Sequence, residues 1–469
     1  MIGALPSHET SLAGTARLPI VVIVALTSFL FANTLEYALP LYFNSLEGFP
    51  ADVWSQLVLW QVMPWIVMPF VAGLLARRFG ERRVWSAALF GQSLVPIALL
   101  IAPEPWVVRP VALWSGLTGA LMWVGGVSLV QVVPADRKGL ANGLMMMSMG
   151  VGSTIGPLLG RTVLWREHVT ELVSDGGLSR AGAFLINLSP PPTDAPLGNF
   201  RLMLGCLSGL AICGAVLIGL FGQRPGRVPG EEQAPGQTLV CLRELMVTPR
   251  FWALTLSLCL LGGPVFQATN QFLKYRAEDV GLIVGAQDHG WIWLQLLRTF
   301  MWIPGGLAVG LLAGRRAPGI AAVVMLASFA LAGGGIGLVV SAGPLFAVVA
   351  VFEFVRQFMR WSHAGYLSEH LPGRLRSTAI GCAISLAGVG STLYGSLPLS
   401  LMDAKSTDFD SRLPFWISAA LGLAGATCLL VFDRLKPIRQ HTTATTISIP
   451  SPQPGSSASN PSRSRRLGS

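Results

Sequence analysis

Twelve apolar runs of roughly 19 to 27 residues recur along the 469-residue chain. They lie at 18–43, 53–76, 84–102, 110–133, 141–164, 202–222, 251–273, 290–313, 320–341, 345–371, 378–401 and 413–432, and are numbered spans 1 to 12 here. A helix crosses the hydrocarbon core of a bilayer with about 20 apolar residues. Runs of this length are not the alternating ten-residue strands of a membrane barrel, so helix is the only candidate. Composition agrees: 52% of residues are apolar, 12% are charged, and the mean hydropathy is +0.58. A soluble domain has no means of hiding that much apolar surface. The expected fold class is therefore an all-α membrane protein with twelve transmembrane helices.

The charges set an orientation. The net charge is +10, which alone suggests a nucleic-acid partner, but the basic residues sit in short connections between apolar runs. With the N-terminus inside, the inner segments carry 21 Lys and Arg, the outer segments 8, and the spans themselves 4. This asymmetry places both termini in the cytoplasm of a multi-pass protein of the plasma (inner) membrane and excludes nucleic acid as a partner. Leu18 to Phe43 is too long for a signal-peptide core and has no small-residue cleavage site after it. The six cysteines show no CxxC or Cys/His metal spacing, and the reading is buried thiols with no metal.

The chain repeats itself. At an offset of 238, residues 121–160 match 359–398 at 11 of 40 positions, including Trp123/Trp361, Pro134/Pro372, Gly143/Gly381 and the run GVGST at 150–154 and 388–392. At 237, GLLA at 73–76 matches GLLA at 310–313. Repeated halves are a transporter feature, with the solute site expected near the midplane between them. The expected division is a cytoplasmic N-terminus (1–17), a six-helix bundle (18–222), a Gly/Pro-rich cytoplasmic linker (223–250), a second six-helix bundle (251–432) and a basic, Ser/Pro-rich disordered tail (433–469). A long outer loop runs from Arg166 to Arg201.

Two motifs carry a family resemblance. GLLARRFGERR between spans 2 and 3 contains Gly73, Arg77, Arg78, Gly80, Arg82 and Arg83, and GLLAGRRAPG between spans 8 and 9 contains Gly310, Arg315 and Arg316. A glycine there lets two helices approach closely, and an arginine-rich turn follows at the inner surface. Span 5 reads GLMMMSMGVGSTIGPLLGR, with Gly143, Gly152, Gly156, Pro157 and Gly160 at the spacing of a helix-packing groove. The loop motifs resemble the loop 2–3 signature of the major facilitator superfamily, and the span-5 pattern resembles that of its twelve-span drug:proton antiporters. The resemblance covers about residues 15 to 435 and implies two pseudo-symmetric six-helix bundles that give alternating access to a central cavity. The loop signature normally has an acid where this chain has Arg77, and an arginine where it has Glu81. In the family that acid pairs with basic residues across the inner gate, so the gate here is expected to be controlled differently.

Polar residues inside the spans are the candidate cavity. Charge at bilayer depth costs at least ~2.5 kcal/mol on insertion scales, so it is normally functional or paired. Glu36 lies one turn from Asn33 in span 1. A carboxylate at that depth can take up and release a proton near neutral pH, so Glu36 is the coupling or substrate candidate; a permanent pair with an arginine is the alternative. In span 10, Glu353, Arg356, Arg360 and His363 fall on one stripe about 80° wide. Glu353 and Arg356 are one turn apart and can pair. Span 7 carries Gln267, Asn270 and Gln271, with Lys274 a turn further on, and span 8 carries Gln295 and Arg298. These amides suit a polar solute or hydrogen bonds between helices. The arginines outnumber the acids, which fits an anionic or zwitterionic solute.

No HExxH, no GxSxG and no mid-span Asp is present, so no enzyme and no cofactor is expected. The expected partners are a small solute, protons and membrane lipid, and a monomer suffices for this architecture. The expected function is proton-coupled export of a small organic solute. Proton-coupled uptake of a nucleoside, sugar or carboxylate is the alternative.

Overall fold

The computed structural model describes residues 18–44, 60–102, 104–130, 135–164, 197–222, 243–262, 264–265, 268–269, 272–282, 289–312, 318–370, 376–401 and 410–434, and their regular structure is helical throughout. Every expected span carries helix. Span 1 is Leu18–Asn44, span 3 Glu81–Ile101, span 4 Pro105–Val130, span 5 Ala135–Leu164 and span 6 Leu197–Phe221. Span 9 is Pro318–Leu338, span 10 Ala342–His370, span 11 Arg376–Leu401 and span 12 Leu413–Arg434. Among the described residues, seven helices are long and apolar enough by themselves to cross a membrane.

Spans 2, 7 and 8 differ from the expectation of continuous helices, and proline accounts for each break. A proline has no N–H to donate to the carbonyl four residues earlier. In span 2, Pro64 and Pro69 stand on either side of the joint between Trp60–Ile66 and Met68–Phe79, which bends by 56°. In span 7, the helix Pro249–Ser257 widens into a π-helical turn over Leu258–Gly262, just before Gly-Gly-Pro at 262–264. In span 8, Met301 separates His289–Phe300 from Trp302–Leu312, and Pro304 leaves the Phe300 carbonyl without its helical donor. The flanking bonds, Met301 N–H to Leu297 O at 3.0 Å and Gly305 N–H to Met301 O at 3.1 Å, keep the joint local.

The larger apolar core joins residues of both repeats, from Val24, Trp85 and Met149 to Trp302, Phe329 and Phe352. Phe329 and Phe352 stack with centroids 4.7 Å apart. Away from the centre, the short helix Leu273–Asp279 is tied down by Arg276, which is only 2% exposed. Its guanidinium donates to the carbonyls of Ile336 (3.3 Å) and Val339 at the end of span 9 and to Ser411 Oγ (3.3 Å), which precedes span 12. Between spans 2 and 3, Gly80 adopts φ +90°, a backbone that residues with a Cβ rarely take, and so turns the chain from one helix into the next.

A buried charge cluster and two glycine seams

Glu353 of span 10 is fully buried, and three side chains of two spans donate to its carboxylate. Arg356, one turn along the same helix, donates to both of its carboxylate oxygens at 3.1 and 2.9 Å. Arg298 of span 8 donates through Nε at 3.0 Å, and Trp302 of span 8 donates its indole N–H at 2.9 Å. Arg298 is held in turn by Gln295 Oε1 at 2.9 Å, and the Arg356 guanidinium lies 5.3 Å from the Trp302 ring centroid. Gln357 donates to the main-chain carbonyl of Glu353 at 3.2 Å. A carboxylate only accepts, and charge-assisted donors here meet both of its oxygens. Such a group is tolerable away from water only while its partners stay in place.

On span 8 the residues Gln295, Arg298 and Trp302 are spaced i, i+3 and i+7, so the helix presents them on one side to span 10. The expected pairing of Glu353 with Arg356 is present, and Gln295 and Arg298 join the same cluster. Arg360 and His363 continue the helix, but their side chains lie outside the described residues, as does that of Glu36. Gln267, Asn270, Gln271, Arg315 and Arg316 also lie outside them. Lys274 is exposed and reaches Glu278 at 3.9 Å, a surface pair. Asn33 is bound elsewhere: its amide donates to Phe29 O and to Ser153 Oγ of span 5, both at 2.9 Å. That is the helix-to-helix bonding weighed for the in-span amides.

The two repeats meet along two seams built alike. A Cβ on Gly143 of span 5 would stand 2.5 Å from the Cα of Gly310 in span 8, and one on Gly381 of span 11 would stand 2.2 Å from Pro69 O and 3.1 Å from the Cα of Gly73 in span 2. Gly143 and Gly381 are repeat partners, and so are Gly310 and Gly73. One or two turns on, a Cβ on Gly150 would meet Trp302 Cβ at 2.8 Å, and one on its partner Gly388 would meet Trp65 O at 2.5 Å. Trp65 and Trp302 stand 237 positions apart. Each seam also carries a side-chain bond: Thr154 to Thr299 at 3.2 Å, and Phe70 N–H to Ser385 Oγ at 2.9 Å. Gly152 and Gly156 of the span-5 motif serve a different neighbour, span 1, where added Cβ atoms would stand 2.4 Å from Leu26 O and 2.8 Å from Thr34 Oγ1. Pro157 and Gly160 lie within the same continuous helix.

Both seams are closed at the end that bears the arginine-rich loop. There Arg77, Arg78 and Arg83 finish span 2 and start span 3, and Arg78 lies over the Phe79 ring at 5.3 Å. Arg82 reaches Gly222 O at 3.4 Å. Glu81 accepts a hydrogen bond from Ser377 Oγ of span 11 at 2.8 Å. Position 77 carries no acid, and one turn later the Glu81 carboxylate reaches across to the second repeat. The sequence alone does not single out Trp302, Thr299 or Ser377, and it marks Ser153 and Thr154 only as part of the repeated GVGST run. Trp302 left one trace, its 237-residue spacing from Trp65.

Comparisons with known proteins accord with this geometry. The family model described as Major Facilitator Superfamily matches residues 21–359. A tetracycline resistance protein, class C, of Escherichia coli is 30% identical over 186 residues, which are 37% of this chain and 46% of that protein. The match therefore spans about half the length of the curated relative. Among solved structures, the fucose:proton symporter of E. coli superposes with a TM-score of 0.68 at 12% identity, over 90% of this chain and 98% of that one. The human organic anion transporter MFSD10 superposes with a TM-score of 0.66 at 15% identity, over 89% and 99%. At these identities the structures show the fold alone.

Proposed function

From the premise that the chain belongs to the Major Facilitator Superfamily, and is therefore a multi-pass secondary transporter rather than an enzyme, we propose that it exports a small organic solute in exchange for protons. The observation that carries this reading is the pair of duplicated glycine seams, one of which adjoins a buried charge cluster. Helices that meet backbone to backbone can separate and re-form without repacking long side chains, as alternating access between two six-helix bundles (18–222 and 251–432, joined by the linker 223–250) requires. With both termini placed in the cytoplasm, the closed arginine-bearing end faces inward. Export is supported by the span-5 glycine pattern and by the tetracycline-resistance relative.

Glu36 is the proposed proton carrier, and the Glu353 cluster with Arg298 and Arg356 is the proposed wall of the solute cavity. The excess of arginine over acid in the spans favours uptake of an anionic metabolite as the second reading.

One assay separates the two. Inside-out vesicles hold a respiration-driven proton gradient read by a quenched dye, and receive pooled cations, organic anions, or sugars with nucleosides. Export predicts dye recovery with one pool in wild type and none in Glu36→Gln. Recovery in both would overturn the role of Glu36. No recovery with any pool, together with uptake of one pool into whole cells, would overturn export.

A further inference from the structure

Trp302 touches three things at once. Its N–H holds Glu353 Oε2 at 2.9 Å, its ring faces the Arg356 guanidinium at 5.3 Å, and its Cβ and main chain form the wall that Gly150 of span 5 packs against. It also begins the second segment of span 8, directly after Met301, where Pro304 has removed a helical hydrogen bond. The backbone of span 8 is least constrained by its own ladder at this joint. The indole, pinned by the buried carboxylate, supplies the constraint instead. One turn back, Thr299 bonds Thr154 across the same seam.

We propose that Trp302 is a positioning residue that couples the charge cluster of Glu353, Arg298 and Arg356 to the closure of the span 5–span 8 seam. A change at the carboxylate, whether loss of its charge or capture of a guanidinium by a solute, releases the indole N–H. The joint at Met301 then loses its external support, and the contact with Gly150 loosens. The repeat supplies an internal control. Trp65 meets Gly388 in the corresponding seam, but the positions that correspond to Arg298, Glu353 and Arg356 hold Gln61, Ser115 and Thr118. Trp65 is wall without sensor. This proposal rests on the alternating-access reading above and on no particular solute.

The test is a double-mutant cycle on the full-length chain in lipid nanodiscs, with its native cysteines replaced. Spin labels go at Leu140 of span 5 and Leu311 of span 8, which are 52% and 66% exposed near the closed end of the seam. Dipolar broadening between the labels, strong in the closed conformer where the Leu140 Cα lies 3.9 Å from a Cβ placed on Gly310, reads the ratio of closed to open. Glu353→Gln is expected to shift that ratio at least threefold in the presence of Trp302 and less than twofold in Trp302→Phe, which keeps the ring but lacks the N–H. Trp302→His, which keeps an N–H donor, is expected to restore more than half of the response, and Trp65→Phe to leave it intact. Equal shifts in the Trp and Phe backgrounds, no rescue by His, or the same loss in Trp65→Phe would each overturn the proposal. Should Trp302→Phe not give monodisperse protein, Gly150→Ala is read in its place and must blunt the Glu353→Gln shift in the same way. A single distance population in wild type under every condition would instead defeat alternating access itself, whereas two populations with additive shifts defeat only the role of Trp302.

Discussion

Trp65 and Trp302 occupy matching places in the two repeats, each against a glycine of the facing helix in its own seam, yet Trp302 donates to a buried carboxylate while Gln61, Ser115 and Thr118 stand where its charged neighbours would be. The seams are duplicated because close backbone approach needs glycine on both sides of the molecule. The charges are not duplicated. Each buried ion brings a desolvation penalty of several kcal/mol, so a second cluster would add cost without adding a new kind of contact. The first repeat has instead a small apolar hollow lined by Phe29, Trp85, Trp123, Met145 and Met149, with room for about one water molecule. The two halves share their joints and divide their chemistry.

The sharpest way to break this comparison is Glu353→Leu. It leaves the buried Arg356 and the partly buried Arg298 without their carboxylate and is expected to cost about 3–5 kcal/mol. Ser115→Ala, at the corresponding place in the first repeat, is expected to cost under about 1 kcal/mol. Thermal unfolding in detergent reads both, and equal losses would show that the asymmetry carries no energy. Next come the seams. Gly143→Ala and Gly381→Ala each force a Cβ into opposing backbone, at an expected cost of about 1–3 kcal/mol and a transport loss of tenfold or more. Gly205→Ala in span 6, where an added Cβ meets nothing within 4 Å, should leave transport unchanged. An effect at one seam but not the other would end the claim that they are duplicates.

A smaller effect is expected from Asn33→Ala, about 1 kcal/mol for the lost bond to Ser153. Asn270 and Ser391 stand 237 and 238 positions after Asn33 and Ser153. Asn270→Ala should therefore match Asn33→Ala in a melting experiment, which would extend the duplicated set to the spans 7 and 11. The smallest shift belongs to Glu81→Gln, which keeps the shape but weakens the bond from Ser377 by about 0.5–1 kcal/mol. Faster amide exchange in the first turn of span 11 would report it.

The fold was legible because bilayer thickness sets helix length and because the repeat is written in glycine and tryptophan, which mutate away from a backbone contact only at a cost. The second-repeat charge cluster was partly legible. Glu353 with Arg356, and Gln295 with Arg298, lie one turn apart, and helical spacing alone brings each pair together. What joins the pairs was not legible. Trp302 reads as one more apolar residue until the polar end of its indole is seen at Glu353. The link from Glu81 to Ser377 spans 296 residues of sequence, and no local pattern announces it. The breaks in spans 2, 7 and 8 were foreshadowed by Pro64, Pro69, Pro264 and Pro304, but whether a membrane helix bends at a proline depends on neighbours that local sequence does not name.

The glycine crossings also bear on how the machine responds to temperature. An interface closed by long side chains must freeze their rotamers each time it shuts, whereas glycine has no side-chain entropy to lose. Gly143 on Gly310, and Gly381 on Pro69 and Gly73, close without that toll. The entropy change of each opening then falls chiefly on the groups around Glu353, whose ion contacts also supply heat. Removing the ions should flatten the temperature dependence of the open fraction, and altering a crossing should move that curve up or down without changing its slope.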